Sequence, residues 1–175
     1  MAGLAKVANK RCVMCIDLKS FYASVECADR GLDPFQTNLV VADPDRSANT
    51  ICLAITPAMK AAGVKNRCRV RDIPDGIEYL TAVPRMRRYM EASGQILAAF
   101  LELVSAEDVH VYSIDECFVE AGPYLRLYGV DARTFARKLI AKAFEATGVT
   151  ATAGIGENLF QAKLALDVCA KHASD

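Results

Sequence analysis

Residues 12–26, CVMCIDLKSFYASVE, change their hydrophobic period in mid-run. Five apolar residues, Cys12 to Ile16, lead into Asp17 and Leu18, and a short apolar run of this kind reads as a buried strand. After Lys19 and Ser20 the spacing becomes helical, with Phe21, Val25 and Ala28 on one side of FYASVECADR. A hydrophobic strand that closes on a carboxylate and turns at once into a helix needs a reason for the carboxylate.

Outward from this unit, LVVAD (39–43) and TICLAI (50–55) are β-rich runs separated by the turn-rich DPDRSAN, and together they predict a hairpin. Pro57 suits the first turn and Gly63 the end of a short helix, PAMKAAG. KNRCRVR (65–71) alternates and is expected to be extended, and IPDG marks a turn. From Pro84 to about Val104 the chain predicts a long amphipathic helix with Met86, Met90, Leu97, Phe100, Leu101 and Val104 on its apolar side.

VHVYSIDECFVE predicts a second hairpin around Ile114 and Asp115. ARTFARKLIAKAFEATG is a further amphipathic helix, capped by Asp131 and closed by Gly148. TATAGIG is a strand running into a glycine turn, and a last helix starts from Asn158. With residues 21 to about 80 set aside, strand, helix, hairpin, helix, strand and helix remain. The fold class is therefore α+β: a ferredoxin-like βαββαβ sheet with helices on one face, residues 1–20 and 81–175, carrying a small α/β insert at 21–80.

The 175 residues are 53% hydrophobic, enough for a real core. Twenty-one basic against 21 acidic residues give zero formal charge, so overall charge points to neither nucleic acid nor membrane. Seven scattered cysteines, an odd number, argue against a disulfide framework and for a reducing cytoplasm. Cys12 and Cys15 form a C-x-x-C, but no second pair follows at zinc spacing, so buried reduced thiols are the expectation. The N-terminus lacks the apolar core of a signal peptide, and no run is long enough to span a membrane.

In a ferredoxin-like sheet the first strand neighbours the hairpin, so Asp17 is expected beside Asp115 and Glu116. Three carboxylates gathered this way repel one another, and a divalent cation removes the conflict. Oxygen ligands alone suit magnesium or manganese better than zinc. Two such ions roughly 3.5–4 Å apart serve in-line phosphoryl transfer. Adjacent strand residues point to opposite faces, so Asp115 and Glu116 can share a site only where the hairpin kinks or bulges. Glu116 as a solvated turn residue is the alternative.

Three segments then resemble the Y-family translesion DNA polymerases of the UmuC/DinB type: Asp17 to Glu26 (DLKSFYASVE), Tyr112 to Phe118 (YSIDECF), and Gly154 to Asn158 with Ala162 to Ala165. The resemblance implies a palm with a fingers insert and template-directed DNA synthesis past damaged bases. It assigns the metal ions to Asp17, Asp115, Glu116 and the Leu18 carbonyl. Phe21 and Tyr22 become the aromatic pair under the incoming deoxynucleotide, with Tyr22 the steric gate against a ribose 2′-hydroxyl. Lys60, Lys163 and Lys171 fall on the triphosphate side, and Pro57 stands where many members have tyrosine. Lys65, Arg67, Arg69 and Arg71 are either a strip on the template backbone or solvated surface. Arg85, Arg87 and Arg88 read as the exposed start of a helix.

The resemblance also implies magnesium, a DNA primer-template, a deoxynucleoside triphosphate, and a sliding clamp or recombinase filament as partners, with no membrane. The chain stops near where a thumb would begin, so thumb and little-finger domains are expected to be absent. Two functions follow: a catalytic fragment, or a catalytically silent module that binds metal, nucleotide or repair partners. A nucleotide cyclase, which shares such a sheet, is a third option that would not need the Phe21–Tyr22 pair.

Overall fold

The computed structural model describes residues 11–43 and 45–170. β1 (Val13–Leu18) leads into α1 (Phe21–Ala28), then β2 (Leu39–Val41), β3 (Ala54–Ile55), α2 (Pro57–Ala61) and β4 (Leu80–Ala82). Next come α3 (Met86–Leu101), the hairpin strands β5 (Val109–Val111) and β6 (Glu116–Glu120), and α4 (Gly122–Tyr128). The last elements are α5 (Ala132–Thr147), β7 (Ala151–Gly156) and α6 (Leu159–Val168).

The larger sheet has the order β5-β6-β1-β7 with every neighbouring pair antiparallel, the ferredoxin-like arrangement. β1 is its centre and is covered on both sides. Met14, Ile16 and Leu18 face the core built by Tyr89, Ile96 and Phe100 of α3 and Phe135 and Leu139 of α5. Val13 and Cys15 face the other way, against Phe118 and the α6 residues Ala162 and Leu166. This two-sided burial explains why β1 reads as a continuous apolar run instead of alternating. α3 and α5 share one face, as the sequence suggests, and α6 adds a layer on the other.

That layer explains two glycines. Gly154 and Gly156 lie inside β7, not in a turn beyond it. A Cβ at Gly154 would lie 2.2 Å from the Ala162 carbonyl oxygen and 2.3 Å from the Leu166 nitrogen. The glycines are there to let α6 approach the sheet.

α3 rotates its apolar stripe away from the expected one. Tyr89, Ala92, Ile96, Ala99 and Phe100 are buried, whereas Met86, Met90 and Leu101 are exposed. Both stripes fit the helical period, and small alanines let the Tyr89 side approach the sheet closely. α4 is absent from the sequence reading; Pro123 in its first turn and Gly129 at φ 62 beyond its end were the signals. Asp131 and Asn158 cap α5 and α6, accepting from the Thr134 and Gln161 nitrogens as anticipated.

The smaller sheet has the order β3-β2-β4, with β2 and β3 the expected hairpin and β4 parallel to β2. One face, Leu39, Val41, Ala54 and Ala82, joins the main core. The other, Val40, Ala42 and Ile55, closes a separate small core with Cys52, Met59, Val64 and Ile73. Residues 65–71 are not one extended run. The chain turns at Arg67, with φ 57, and tightens into a 3-10 turn at Val70–Asp72, where Arg69 N donates to Asp72 Oδ2 at 3.2 Å. The three arginines therefore do not share a face.

Candidate active site

β1 brings Asp17 to the end of the larger sheet, directly across from Glu116 on β6 and from Thr152 on β7. Asp115 precedes β6 in a tight bend. Tyr112 N and Ser113 N both donate to the Glu116 carbonyl, at 3.0 and 2.9 Å, and Leu18 N donates to the Asp115 carbonyl at 2.9 Å. Asp115 thus lies outside the regular strand and is exempt from the alternation that would set it opposite Glu116. The Ser113 hydroxyl donates to Asp115 Oδ1 at 2.8 Å.

Asp17 and Asp115 line one cleft of about 720 Å³, large enough for a nucleotide. Phe21 and Tyr22 line it from α1, Lys60 and Pro57 from α2, and Lys19 and Arg67 from loops. The turn from β1 into α1 is made by Ser20, in the left-handed region at φ 49, braced by a bond of 2.6 Å from Ser24 Oγ to the Lys19 carbonyl. The Tyr22 ring stacks on Tyr89 with centroids 4.4 Å apart. Burial, and then the charge of Asp115, raises the Tyr22 hydroxyl above its ordinary pKa. The Lys19 ammonium sits 5.7 Å from the Phe35 ring centroid.

Glu116 does not line this cleft. It is 8% exposed, accepts from the Cys15 thiol at 3.1 Å, and lies 2.8 Å from Lys163 Nζ. Burial pulls the Lys163 ammonium down, but its bonds to Glu116 and Asp167 outweigh that and hold it above the usual lysine range. Among the described residues, no three His, Cys, Asp or Glu side chains are grouped to hold a metal ion. The three expected carboxylates therefore resolve into a cleft pair, Asp17 and Asp115, and a third that is neutralised by Lys163. The pair, with Leu18 also lining the cleft, offers hard oxygen donors that fit magnesium or manganese.

Of the remaining sequence candidates, Arg67 reaches the cleft, while Lys65, Arg69 and Arg71 do not line it. Lys171 lies outside the described residues. Two features were not anticipated. Glu26, fully buried, accepts from Arg85 at 2.9 and 3.0 Å, from the Tyr89 hydroxyl at 2.8 Å, and from Arg30. Asp29 beside it accepts from Arg85 and Arg88, both at 2.7 Å. Arg85 and Arg88 are thus the α3 half of an ion network with α1, not an idle helix start. The second is Thr152, whose buried hydroxyl has no hydrogen-bond partner among the described residues, although the residue lines the cleft opposite Asp17.

A ferredoxin-like sheet with two strand-end aspartates beside an aromatic pair in one cleft is the architecture of a polymerase palm. The chain belongs to the impB/mucB/samB family, whose profile matches residues 16–167. It is 33% identical over 164 residues to DNA polymerase IV 2 of Bacillus subtilis (strain 168), covering 93% of this chain and 39% of that one. It is 37% identical over 105 residues to the DNA repair protein homolog YozK of the same organism, covering 59% of this chain and 90% of that one. A solved Y-family DNA polymerase chimera superposes with a TM-score of 0.71 at 20% identity, over 87% of this chain and 44% of that one. The chain spans about two fifths of the length of the DNA polymerase IV 2 relatives it matches. No helix among the described residues is long and apolar enough to cross a membrane.

Proposed function

We propose that this chain is the catalytic part of a Y-family DNA polymerase that copies past damaged bases, with the larger sheet as palm and residues 21–80 as fingers. The observation that carries this reading is the meeting of Asp17 and Asp115 in one cleft with Tyr22 and Lys60. Magnesium ions, or manganese in their place, would supply the charge that activates a 3′-hydroxyl and offsets a leaving pyrophosphate. Asp17, Asp115 and the Leu18 carbonyl would hold them, and Glu116 would join as the third acidic ligand only by leaving Lys163 and turning toward the cleft. Phe21 and Tyr22 support the incoming deoxynucleotide, with Tyr22 blocking a 2′-hydroxyl. Lys60, Lys163 and Lys171 serve the triphosphate. Of the basic run Lys65, Arg67, Arg69 and Arg71, Arg67 meets the cleft and the others serve the template backbone beyond it. A cytoplasmic place in the SOS response, with a sliding clamp or recombinase filament as partner, belongs to the same reading.

A second reading is a catalytically silent metal- or nucleotide-binding module, or one that binds partners in DNA repair. It is favoured by the short relative YozK, 90% of which aligns within this chain. Primer extension in Mn²⁺ separates the two. Weak incorporation that Asp115→Ala abolishes, with loss of the deoxynucleotide preference in Tyr22→Ala, supports the enzyme. Nucleotide binding without incorporation supports the module. Equal extension by wild type and Asp115→Ala overturns the assignment of Asp115.

A further inference from the structure

The small core beside the smaller sheet holds a pair of thiols, Cys52 and Cys68, for which the proposed chemistry has no use. Ile51 and Arg69 form an isolated antiparallel bridge. It is flanked by bonds from Cys52 N to the Cys68 carbonyl at 2.8 Å and from Val70 N to the Thr50 carbonyl at 3.0 Å. This register sets Cys52 opposite Cys68, and opposed residues of an antiparallel pair put their side chains on the same face. One bond joins the pair, since Cys68 N donates to the Lys65 carbonyl at 3.3 Å. Opposed residues of an antiparallel pair have Cα atoms roughly 4.5–5.5 Å apart, inside the span of about 4.4–6.8 Å that a disulfide bridges.

The two thiols differ in access. Cys52 is fully buried in the small core with Val40, Ile55 and Met59, and Cys68 packs against that core while partly exposed. Burial, with the Cys68 thiol within hydrogen-bonding reach, pushes the Cys52 thiol up to about 12. Cys52 is therefore inert to reagents from solvent but stands next to a thiol they can reach. Cys12 and Cys15 offer no such geometry: they are three residues apart on one extended segment, where side chains an odd number apart point to opposite sides.

We propose that Cys52 and Cys68 form a reversible intramolecular disulfide when the protein meets a low-molecular-weight disulfide of the glutathione class. The Cys68 thiolate attacks one sulfur of the oxidant, forming a mixed disulfide and expelling one thiolate. The Cys52 sulfur, losing its proton, then attacks Cys68 Sγ and expels the second thiolate. Two protein thiols are oxidised, one disulfide is reduced, and the two protons end on the two released thiols. The new bond ties the segment before β3 to the turn that carries Arg67 at the rim of the cleft. It would fix the most irregular wall of the site and would reverse with excess reduced thiol. The inference does not depend on the polymerase reading.

The experiment is exposure of the folded wild-type chain to oxidised glutathione, followed by blocking of free thiols, intact mass measurement and non-reducing peptide mapping. The expected result is a loss of two hydrogens, a Cys52–Cys68 peptide and recovery of both thiols with dithiothreitol. Cys52→Ala should instead trap glutathione on Cys68. Should Cys52→Ala fail to fold, the wild-type map stands alone. A stable glutathione adduct on Cys68 of the wild type, or glutathione on the exposed Cys169 with Cys52 and Cys68 both still free, would overturn the proposal.

Discussion

Two acidic centres lie on either end of α1 and are built on opposite plans. Glu26 is met by the guanidinium groups of Arg30 and Arg85 and by the Tyr89 hydroxyl, and Asp29 by those of Arg85 and Arg88. Burial alone would raise Glu26, yet these bonds hold it below the ordinary carboxylate value, and Asp29 is lowered chiefly by Arg88. At the cleft, Asp115 is steadied by the Ser113 hydroxyl, and the cations Lys60, Lys19 and Arg67 line the surrounding walls. One centre spends its charge on holding α1 to α3. The other lines a cavity. Tyr89 joins them, bonded to Glu26 and stacked under Tyr22.

The contrast can be broken first at Arg85. Arg85→Met removes the bidentate partner of a fully buried carboxylate and should cost about 2 kcal/mol in urea denaturation, less than the full penalty of an unpaired buried charge because Arg30 and Tyr89 still bond Glu26. It should also change the pH dependence. Glu26 and Asp29 are depressed in the fold, so their stabilisation is full above the unfolded carboxylate value of about 4 and is lost as pH falls through their lower folded values. Between those limits the wild type should lose stability with acid, and Arg85→Met should lose much less. Parallel acid profiles would mean that the network contributes nothing to folding.

Tyr89→Phe sharpens the link between the centres. It keeps the ring under Tyr22 and deletes one hydrogen bond to Glu26, so a loss of about 1–2 kcal/mol is expected, with the deoxynucleotide preference retained. Tyr89→Leu should erode that preference as well. Thr152→Val is the smallest change. Its hydroxyl has no partner among the described residues, so replacing it by a methyl should leave stability unchanged or raise it by up to about 1 kcal/mol. A clear destabilisation would mean that the hydroxyl is bonded in solution.

The sheet was legible because β1, the hairpin and the long helices each announce themselves by period, and because Asp131 and Asn158 cap where caps are needed. The neighbourhood of Asp17 and the Asp115 bend was legible too, since strand neighbours in a ferredoxin-like sheet bring those two positions together. What failed did so for three separate reasons. The apolar stripe of α3 was assigned from large residues, whereas the packed face uses Ala92 and Ala99 to bring Tyr89 and Ile96 close. The arginine run at 65–71 alternates in sequence, but a left-handed Arg67 and an Asp72 carboxylate bonded to its own turn decide the path. The turn of Glu116 toward Lys163 depends on where α6 sits, which Gly154 and Gly156 permit but do not announce.

The most direct test of the account is divalent metal binding by the folded chain, followed by Mn²⁺ electron paramagnetic resonance with a deoxynucleoside triphosphate present. Wild type should bind Mn²⁺, and Asp17→Asn or Asp115→Asn should each lose that binding while their unfolding free energies in urea stay within about 0.5 kcal/mol of wild type. Unchanged Mn²⁺ binding in both variants would contradict the claim that these two strand-end carboxylates hold one ion site.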